Sequence, residues 1–114
     1  AVLAQAFFAK FPYGNGCAEP YNEFHNGNLI QHPLCKASLL RETIYPLYFH
    51  NFADNEMSDK ILATGRYLYV PEAKIAHLHW VNGKAPQDTS YQNATSNHEL
   101  DRELYFKRKA SNFK

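Results

Sequence analysis

Apolar and polar positions along the chain show one clear helical pattern, which lies near its centre. The apolar side chains spaced four and five residues apart are Met57, Ile61 and Leu62. Asp54 or Asn55 is suited to cap the first turn of this helix, and Gly65 to end it. The carboxylates of Asp54 and Glu56 also lie where the helix dipole favours negative charge. The pattern therefore predicts a helix that begins at Asp54 and ends before Gly65.

Shorter elements are predicted on the N-terminal side of this helix. Ala1 to Lys10 is rich in good helix formers, and the pattern ends at Phe11 because a residue before proline avoids the helical region. The other predictions, in chain order, are a loop or irregular hairpin over Ala18 to Asn28, a short strand over Leu29 to Leu34, a helix over Lys36 to Thr43, and an extended edge segment or loop over Ile44 to Phe49.

The C-terminal side predicts two strands and a last helix. The strands and their connection are Arg66 to Val70, a turn at Pro71 to Ala73, and the alternating segment Lys74 to Trp80. A polar linker follows to Thr95, and Ser96 with Glu99 forms a capping box at the start of a helix. This order of elements predicts an α+β fold, with a small mixed sheet and three to four helices in a single domain over residues 1–114.

Composition adds limits on the class of protein. The chain has 114 residues, of which 45% are hydrophobic, so one packed domain is expected rather than disorder. A net charge of +1 without a concentrated basic surface argues against nucleic acid as a partner. No run approaches the ~20 apolar residues of a membrane span. The lack of a recognisable targeting segment favours a cytoplasmic location.

The two cysteines, Cys17 and Cys35, are 18 residues apart and form no Cys-x-x-Cys motif. A disulfide in an oxidising compartment and two reduced thiols both fit this spacing, and the general rarity of intracellular disulfides favours the thiols. The sequence leaves their pairing open.

His77 and His79 are the candidate metal ligands. Residues two apart in a strand project to the same face, so both imidazoles are able to bind one ion if other residues complete the site. The alternative is a hydrogen-bonded histidine at a strand end beside an exposed one, and spacing alone favours that alternative.

Asp54 is the candidate catalytic group. It follows an aromatic loop over Tyr48 to Phe52, and a carboxylate at such a helix start is able to act as a general base facing a pocket. The alternative is helix capping together with compensation of the helix dipole, which needs no substrate. Local pattern alone favours capping.

Several motifs in order resemble a known enzyme family. They are His32-Pro33-Leu34, the aromatic loop, Phe52-Ala53-Asp54-Asn55-Glu56, a Gly-Arg-Tyr-x-Tyr-x-Pro segment from Gly65, and Ile-x-His-x-His-Trp ending at Trp80. Together they resemble the C-terminal half of family 2-type glycosyltransferases of the GT-A fold, most closely the short glycosyltransferase-like proteins of phage and environmental sequences. The similarity covers roughly Phe11 to Phe113.

The resemblance implies roles for individual residues. Asp54 matches the catalytic base, with Glu56 as its neighbour, and His77 matches the metal-binding histidine, with His79 as the alternative. Tyr48, His50 and Trp80 are expected to contact substrate. The implied cofactor is Mn²⁺ or Mg²⁺, and the implied ligands are a nucleotide-sugar and a sugar acceptor.

The chain departs from that family in one respect. It contains no Asp-x-Asp motif, which such enzymes carry in the half that binds the nucleotide-sugar. We therefore expect the acceptor-side half of an inverting sugar transferase, with the other half supplied by more sequence, a second copy or a partner chain. The alternative is a non-catalytic binding or assembly module with the same fold, and whether the chain is an enzyme stays open at this point.

Overall fold

The computed structural model describes residues 1–76 and 97–114, and all structural statements refer to these two ranges. They form an α+β fold, as predicted, with four helices and a three-stranded mixed sheet. In chain order the elements are α1 (Val2–Lys10), β1 (Cys17–Tyr21), β2 (Leu34–Cys35), α2 (Ala37–Thr43), α3 (Ala53–Ala63), β3 (Tyr67–Lys74) and α4 (His98–Ala110).

The sheet is organised around β1, which lies between the other two strands. It pairs antiparallel with β2, where Cys17 faces Cys35, and parallel with β3, where Cys17 faces Tyr67. The sequence predicted a loop or irregular hairpin over Ala18 to Asn28, which is wrong for residues 18–21, whereas residues 22–28 are irregular. The strand is buried on both faces along most of its length, so it lacks the polar alternation that marks a half-exposed strand.

Each face of the sheet carries its own apolar cluster. Helix α1 covers one face, where Phe7 and Phe11 pack against Ala18 and Val70. Helices α2 and α3 cover the other face, and the buried residues there are Cys17, Ile30, Met57 and Ile61. The predicted apolar side of the central helix is therefore confirmed as core. Helix α4 packs on α3 from outside.

Two predicted strands differ from the structure. Most of Leu29 to Leu34 is irregular, and only Leu34–Cys35 pairs as a strand. The turn predicted at Pro71 to Ala73 is instead part of β3, because Val70 pairs with Pro20 while Lys74 pairs with Tyr21, which makes this stretch a bulge. A proline is tolerated at such a position because a bulged edge residue donates no ladder hydrogen bond.

Helix starts also differ slightly from the predictions. Helix α3 begins at Ala53, and its N-cap position is Phe52, so neither Asp54 nor Asn55 is the cap. Asp54 and Glu56 both lie in the first turn, as predicted. A strand was predicted over Lys74 to Trp80, but Lys74 is the last residue of β3 and residues 75 and 76 are not in a strand. Residues 77–80 of that prediction, the linker and Ser96 of the capping box lie outside the described residues. Within the described ranges, no helix is long and apolar enough to cross a membrane.

Candidate functional site

The start of α3 opens onto a cleft of about 440 Å³. Three segments form its walls: residues 30–33 before β2, the end of α2, and the loop that leads into α3. Its lining mixes apolar and polar side chains. The apolar lining residues are Ile30, Pro33, Leu40, Ile44, Ala53 and Met57, and the polar ones are Gln31, His50, Asn51 and Asp54. A volume and lining of this kind suit a small organic ligand with both apolar and hydroxyl surfaces.

Asp54 presents its carboxylate to this cleft from the first turn of α3. The residue as a whole is exposed, and its Oδ1 accepts a hydrogen bond of 3.0 Å from the backbone N–H of Asn55. Loss of water around the carboxylate raises its pKa, and this effect outweighs the nearby backbone N–H groups and His50, which lower the pKa. A carboxylate with a raised pKa is a stronger base, so the position suits proton transfer from a bound hydroxyl group.

The loop that carries His50 into the cleft is held from behind by Asp101 of α4. The Asp101 carboxylate is 1% exposed and accepts three backbone N–H bonds, from Phe49 at 2.8 Å, His50 at 2.9 Å and Asn51 at 2.7 Å. Burial raises the pKa of Asp101, but these hydrogen bonds outweigh burial, so the net shift is downward. Asp101 is therefore ionised, and its charged carboxylate holds the backbone of the cleft loop in place.

Phe52 completes this loop in an unusual backbone conformation. Its φ of +70° lies in the left-handed region, which is costly for an aromatic residue. The Phe52 ring stacks on Tyr105 of α4, with ring centroids 5.3 Å apart. Contacts with α4 thus stabilise both the loop and the residue that turns it into α3.

Glu56 lies on the other side of α3 and is fully buried. Arg108 of α4 donates two hydrogen bonds to its carboxylate, at 2.6 and 2.9 Å, and Lys60 donates a third at 2.7 Å. The Tyr48 hydroxyl donates a fourth at 2.9 Å. Burial raises the pKa of Glu56, but these partners outweigh it and lower the pKa to about 2. Glu56 is therefore an ion-pair residue of the α3–α4 interface.

Arg108 is held in turn by an aromatic ring. Its guanidinium lies 3.4 Å from the centroid of the Tyr45 ring, a cation–π contact that adds to the bidentate ion pair. Of the predicted site residues, the structure places Asp54 and His50 together in the cleft. It places Tyr48 and Glu56 together in the α3–α4 interface.

The opposite wall of the cleft depends on Glu19 in β1. This fully buried carboxylate accepts hydrogen bonds from the backbone N–H groups of Gln31, at 2.6 Å, and His32, at 3.3 Å. The Tyr67 hydroxyl donates a third at 2.7 Å. The Gln31 amide then donates through Nε2 to the carbonyl of Phe24. Glu19 therefore ties the irregular segment before β2 to the sheet.

The sequence did not indicate Glu19, Asp101 or Arg108. Glu19 precedes a proline in a segment without periodicity, and Asp101 and Arg108 belong to a helix whose other charged residues are exposed. One local signal was present, because an acidic residue in the first helical turn is favourable. The backbone groups that Asp101 binds, however, lie about 50 residues earlier in the sequence, and no local pattern indicates them.

The predicted metal ligands cannot be compared with this geometry. His77 and His79 lie outside the described residues, and so does Trp80. Residues 1–76 and 97–114 contain no group of three or more His, Cys, Asp or Glu side chains arranged to hold a metal ion. The proposed role of the two histidines as ligands of Mn²⁺ or Mg²⁺ stays a prediction.

Comparisons with known proteins add no family to this picture. No protein-family model matches the chain, and searches of curated proteins and of solved structures find no significant match.

Proposed function

We propose that this chain is the acceptor-side half of a nucleotide-sugar-dependent sugar transferase. The observation that carries the proposal is the position of Asp54, whose carboxylate faces an open cleft and has a raised pKa. Its neighbour Glu56 is buried in ion pairs, which leaves Asp54 as the carboxylate of this motif that is accessible to a ligand. The resemblance of the ordered motifs to family 2-type glycosyltransferases supports the same role.

In the proposed reaction, the acceptor occupies the cleft with its apolar face on the Ile30 and Met57 side. Its reacting hydroxyl group lies against Asp54. The carboxylate takes the hydroxyl proton as the oxygen attacks the sugar carbon, and the bond to the leaving diphosphate breaks on the opposite side, with inversion. We assign no described residue to the leaving group. A divalent ion bound by His77 or His79 remains part of the proposal.

The test is release of nucleoside diphosphate from UDP- and GDP-sugars, in the presence of Mn²⁺ and an oligosaccharide acceptor. The protein is assayed as expressed from the full reading frame that contains this chain. Asp54→Asn is expected to lower the rate by ~10²- to 10⁴-fold, as for loss of a general base. Glu72→Gln is the matched control, because Glu72 is an exposed carboxylate on β3 away from the cleft. An unchanged rate in Asp54→Asn would remove the base from the proposal.

Calorimetry of the chain alone with Mn²⁺ and UDP or GDP tests whether this chain binds the nucleotide without further sequence. Absence of binding heat for the chain, together with activity of the full reading frame, locates the donor site outside this chain. Absence of both heat and activity contradicts transferase function.

A binding or assembly module is the second candidate, and exposed apolar side chains on the cleft loop favour it. Leu47 is 68% exposed and Phe49 is 67% exposed, although the backbone N–H of Phe49 is held by Asp101 and Leu47 lies two residues before it. Such exposure in an ordered loop is typical of a contact surface. Self-association that is lost in Leu47→Ser with Phe49→Ser, in a protein without transfer activity, would favour the module.

A further inference from the structure

We infer that Cys17 and Cys35 form a dithiol that a small-molecule disulfide of the glutathione class converts into an intramolecular disulfide. This inference is independent of the proposed function, because it rests on strand pairing at the centre of the sheet.

The first argument is register. Cys17 in β1 lies directly opposite Cys35 in the antiparallel strand β2, so the two side chains project to the same face of the sheet. Both contribute to the apolar cluster beneath α2 and α3. The chain has two cysteines in all, so these thiols have no competing partner within it.

The second argument is the type of pair. The backbone N–H of Cys17 donates to Arg66 on the β3 side of the strand, at 2.9 Å. Because the N–H and C=O of one strand residue point to the same side, Cys17 makes no ladder hydrogen bond towards β2. Opposed residues in such a non-hydrogen-bonded pair have Cα atoms about 4.5 Å apart. That separation lies within the range of about 4.4–6.8 Å found for disulfides, so bond formation requires no strand movement.

The third argument is the difference in access between the two thiols. Cys17 is fully buried, whereas Cys35 is half-buried next to the exposed Lys36. Burial raises the pKa of Cys17 to about 12, and Cys35 adds to that shift. Burial also raises the pKa of Cys35, and the interaction with the Cys17 thiol offsets part of this increase. Cys35 is therefore the thiol that meets the oxidant first, and Cys17 is the one that resolves the intermediate.

The reaction proceeds by two exchange steps. The Cys35 thiolate attacks one sulfur of oxidised glutathione, its S–S bond breaks, and one glutathione thiolate leaves. Cys17 then loses its proton and attacks the Cys35 sulfur, which releases the second glutathione thiolate. Two protein thiols are oxidised, one oxidised glutathione is reduced to two glutathiones, and the two thiol protons end on the products.

The expected consequence is a more rigid cleft wall. Cys35 lies between Gln31 and Pro33 on one side and Leu40 on the other, and all three line the cleft. Strand β2 has two residues, so it is weakly held before oxidation. The disulfide adds a covalent link to the hydrogen bonds of Glu19 that already hold this wall on the central strand.

The test treats the folded protein with oxidised glutathione and follows the products by mass spectrometry under non-reducing conditions. The wild-type chain is expected to lose two hydrogen atoms and to retain no glutathione. Cys17→Ser should stop at one glutathionyl group on Cys35. Cys35→Ser should react at least about tenfold more slowly, since its remaining thiol is buried. Circular dichroism shows whether each variant is folded, and Cys17→Ala and Cys35→Ala replace any serine variant that is not.

Two results would overturn the inference. One is a stable glutathionyl adduct on the wild-type chain without a protein disulfide. The other is formation of the disulfide only in denaturant.

Discussion

Helix α3 places two carboxylates of its first turn in opposite environments. Asp54 faces the cleft, is exposed and has a raised pKa, whereas Glu56 faces α4, is fully buried and has a lowered pKa. The two residues are separated by Asn55 alone, yet about 200° of helix rotation lies between them. Burial does not explain the difference by itself, because loss of water raises the pKa of both carboxylates while the net shifts are opposite. Hydrogen-bonded cations decide it.

The comparison separates a side of α3 built for contact with a ligand from a side built for stability. On the α4 side, both carboxylate oxygens of Glu56 and both of Asp101 accept hydrogen bonds. On the cleft side, the Asp54 carboxylate accepts a hydrogen bond from the backbone N–H of Asn55 and lines the cleft, without a bound cation such as Arg108 among the described residues. Substitutions on the two sides of α3 should therefore change the free energy of unfolding by different amounts and with different sign.

The largest effect is expected from Arg108→Met. The substitution leaves the buried Glu56 carboxylate with Lys60 and Tyr48 but without its bidentate partner. Removal of one member of a buried ion pair costs about 3–5 kcal/mol, so the free energy of unfolding in urea should fall by that amount. Arg102→Met is the matched control on the same helix, because Arg102 is exposed, and its change should stay within about 0.5 kcal/mol. A loss below about 1 kcal/mol for Arg108→Met would mean that the interface contributes little stability.

An intermediate effect is expected from Asp101→Asn. The amide offers one acceptor oxygen in place of two, and its NH₂ group opposes the loop N–H donors, which leaves at least one buried donor unpaired. The cost is about 1–3 kcal/mol. Amide hydrogen exchange should accelerate at Phe49, His50 and Asn51 more than in the core strand β1. Glu99→Gln, an exposed change in the same helical turn, is the control; equal acceleration in both variants would show that Asp101 does not hold the loop.

The pH dependence of stability is expected to have opposite signs for Glu56 and Asp54, and the effect of Asp54 is the smallest of those predicted here. The pKa of Glu56 is lowered from 4.5 to about 2 by folding, so its contribution is present above about pH 4.5 and is lost as pH falls to about 2. The stability difference between wild type and Glu56→Gln should therefore shrink over that window.

Asp54 is the reverse case, because folding raises its pKa above 3.8. Its ionised form is less stable in the folded state, so this penalty is absent below that value and grows as pH rises through the folded pKa. Asp54→Asn should thus equal or slightly exceed the wild type in stability at neutral pH, within about 0.5 kcal/mol. A clear loss of stability at neutral pH in Asp54→Asn would place this carboxylate in a structural role, like Glu56.

Local patterns predicted the helices better than the sheet. The composition of Ala1 to Lys10 and the spacing of Met57, Ile61 and Leu62 correspond to α1 and α3, because helix formation and the apolar face of a helix depend on residues a few positions apart. Strand β1 was missed because burial on both faces removes alternation, and the bulge in β3 resembles a turn in sequence. Both depend on pairing with distant strands.

The residues of the candidate site also fall into those that local sequence indicated and those that only the tertiary structure identifies. The sequence alone identified Asp54 at a helix start and His50 in an aromatic loop beside it. Local pattern did not separate Asp54 from Glu56, since both are acidic residues of one first turn, and only the family resemblance ranked Asp54 first. That separation required Arg108 of α4, about 50 residues later, and the cleft wall required Glu19 of β1.

The sequence by itself therefore determined the helical elements, the fold class and the presence of a carboxylate motif, because those depend on near neighbours and composition. The tertiary structure decided which carboxylate is held in ion pairs and which faces the cleft, and it brought Cys17 opposite Cys35. Each of these outcomes depends on groups that are distant in the sequence and meet only when the sheet and helices pack. Charge and burial act over a few ångströms of space, whatever the separation along the chain.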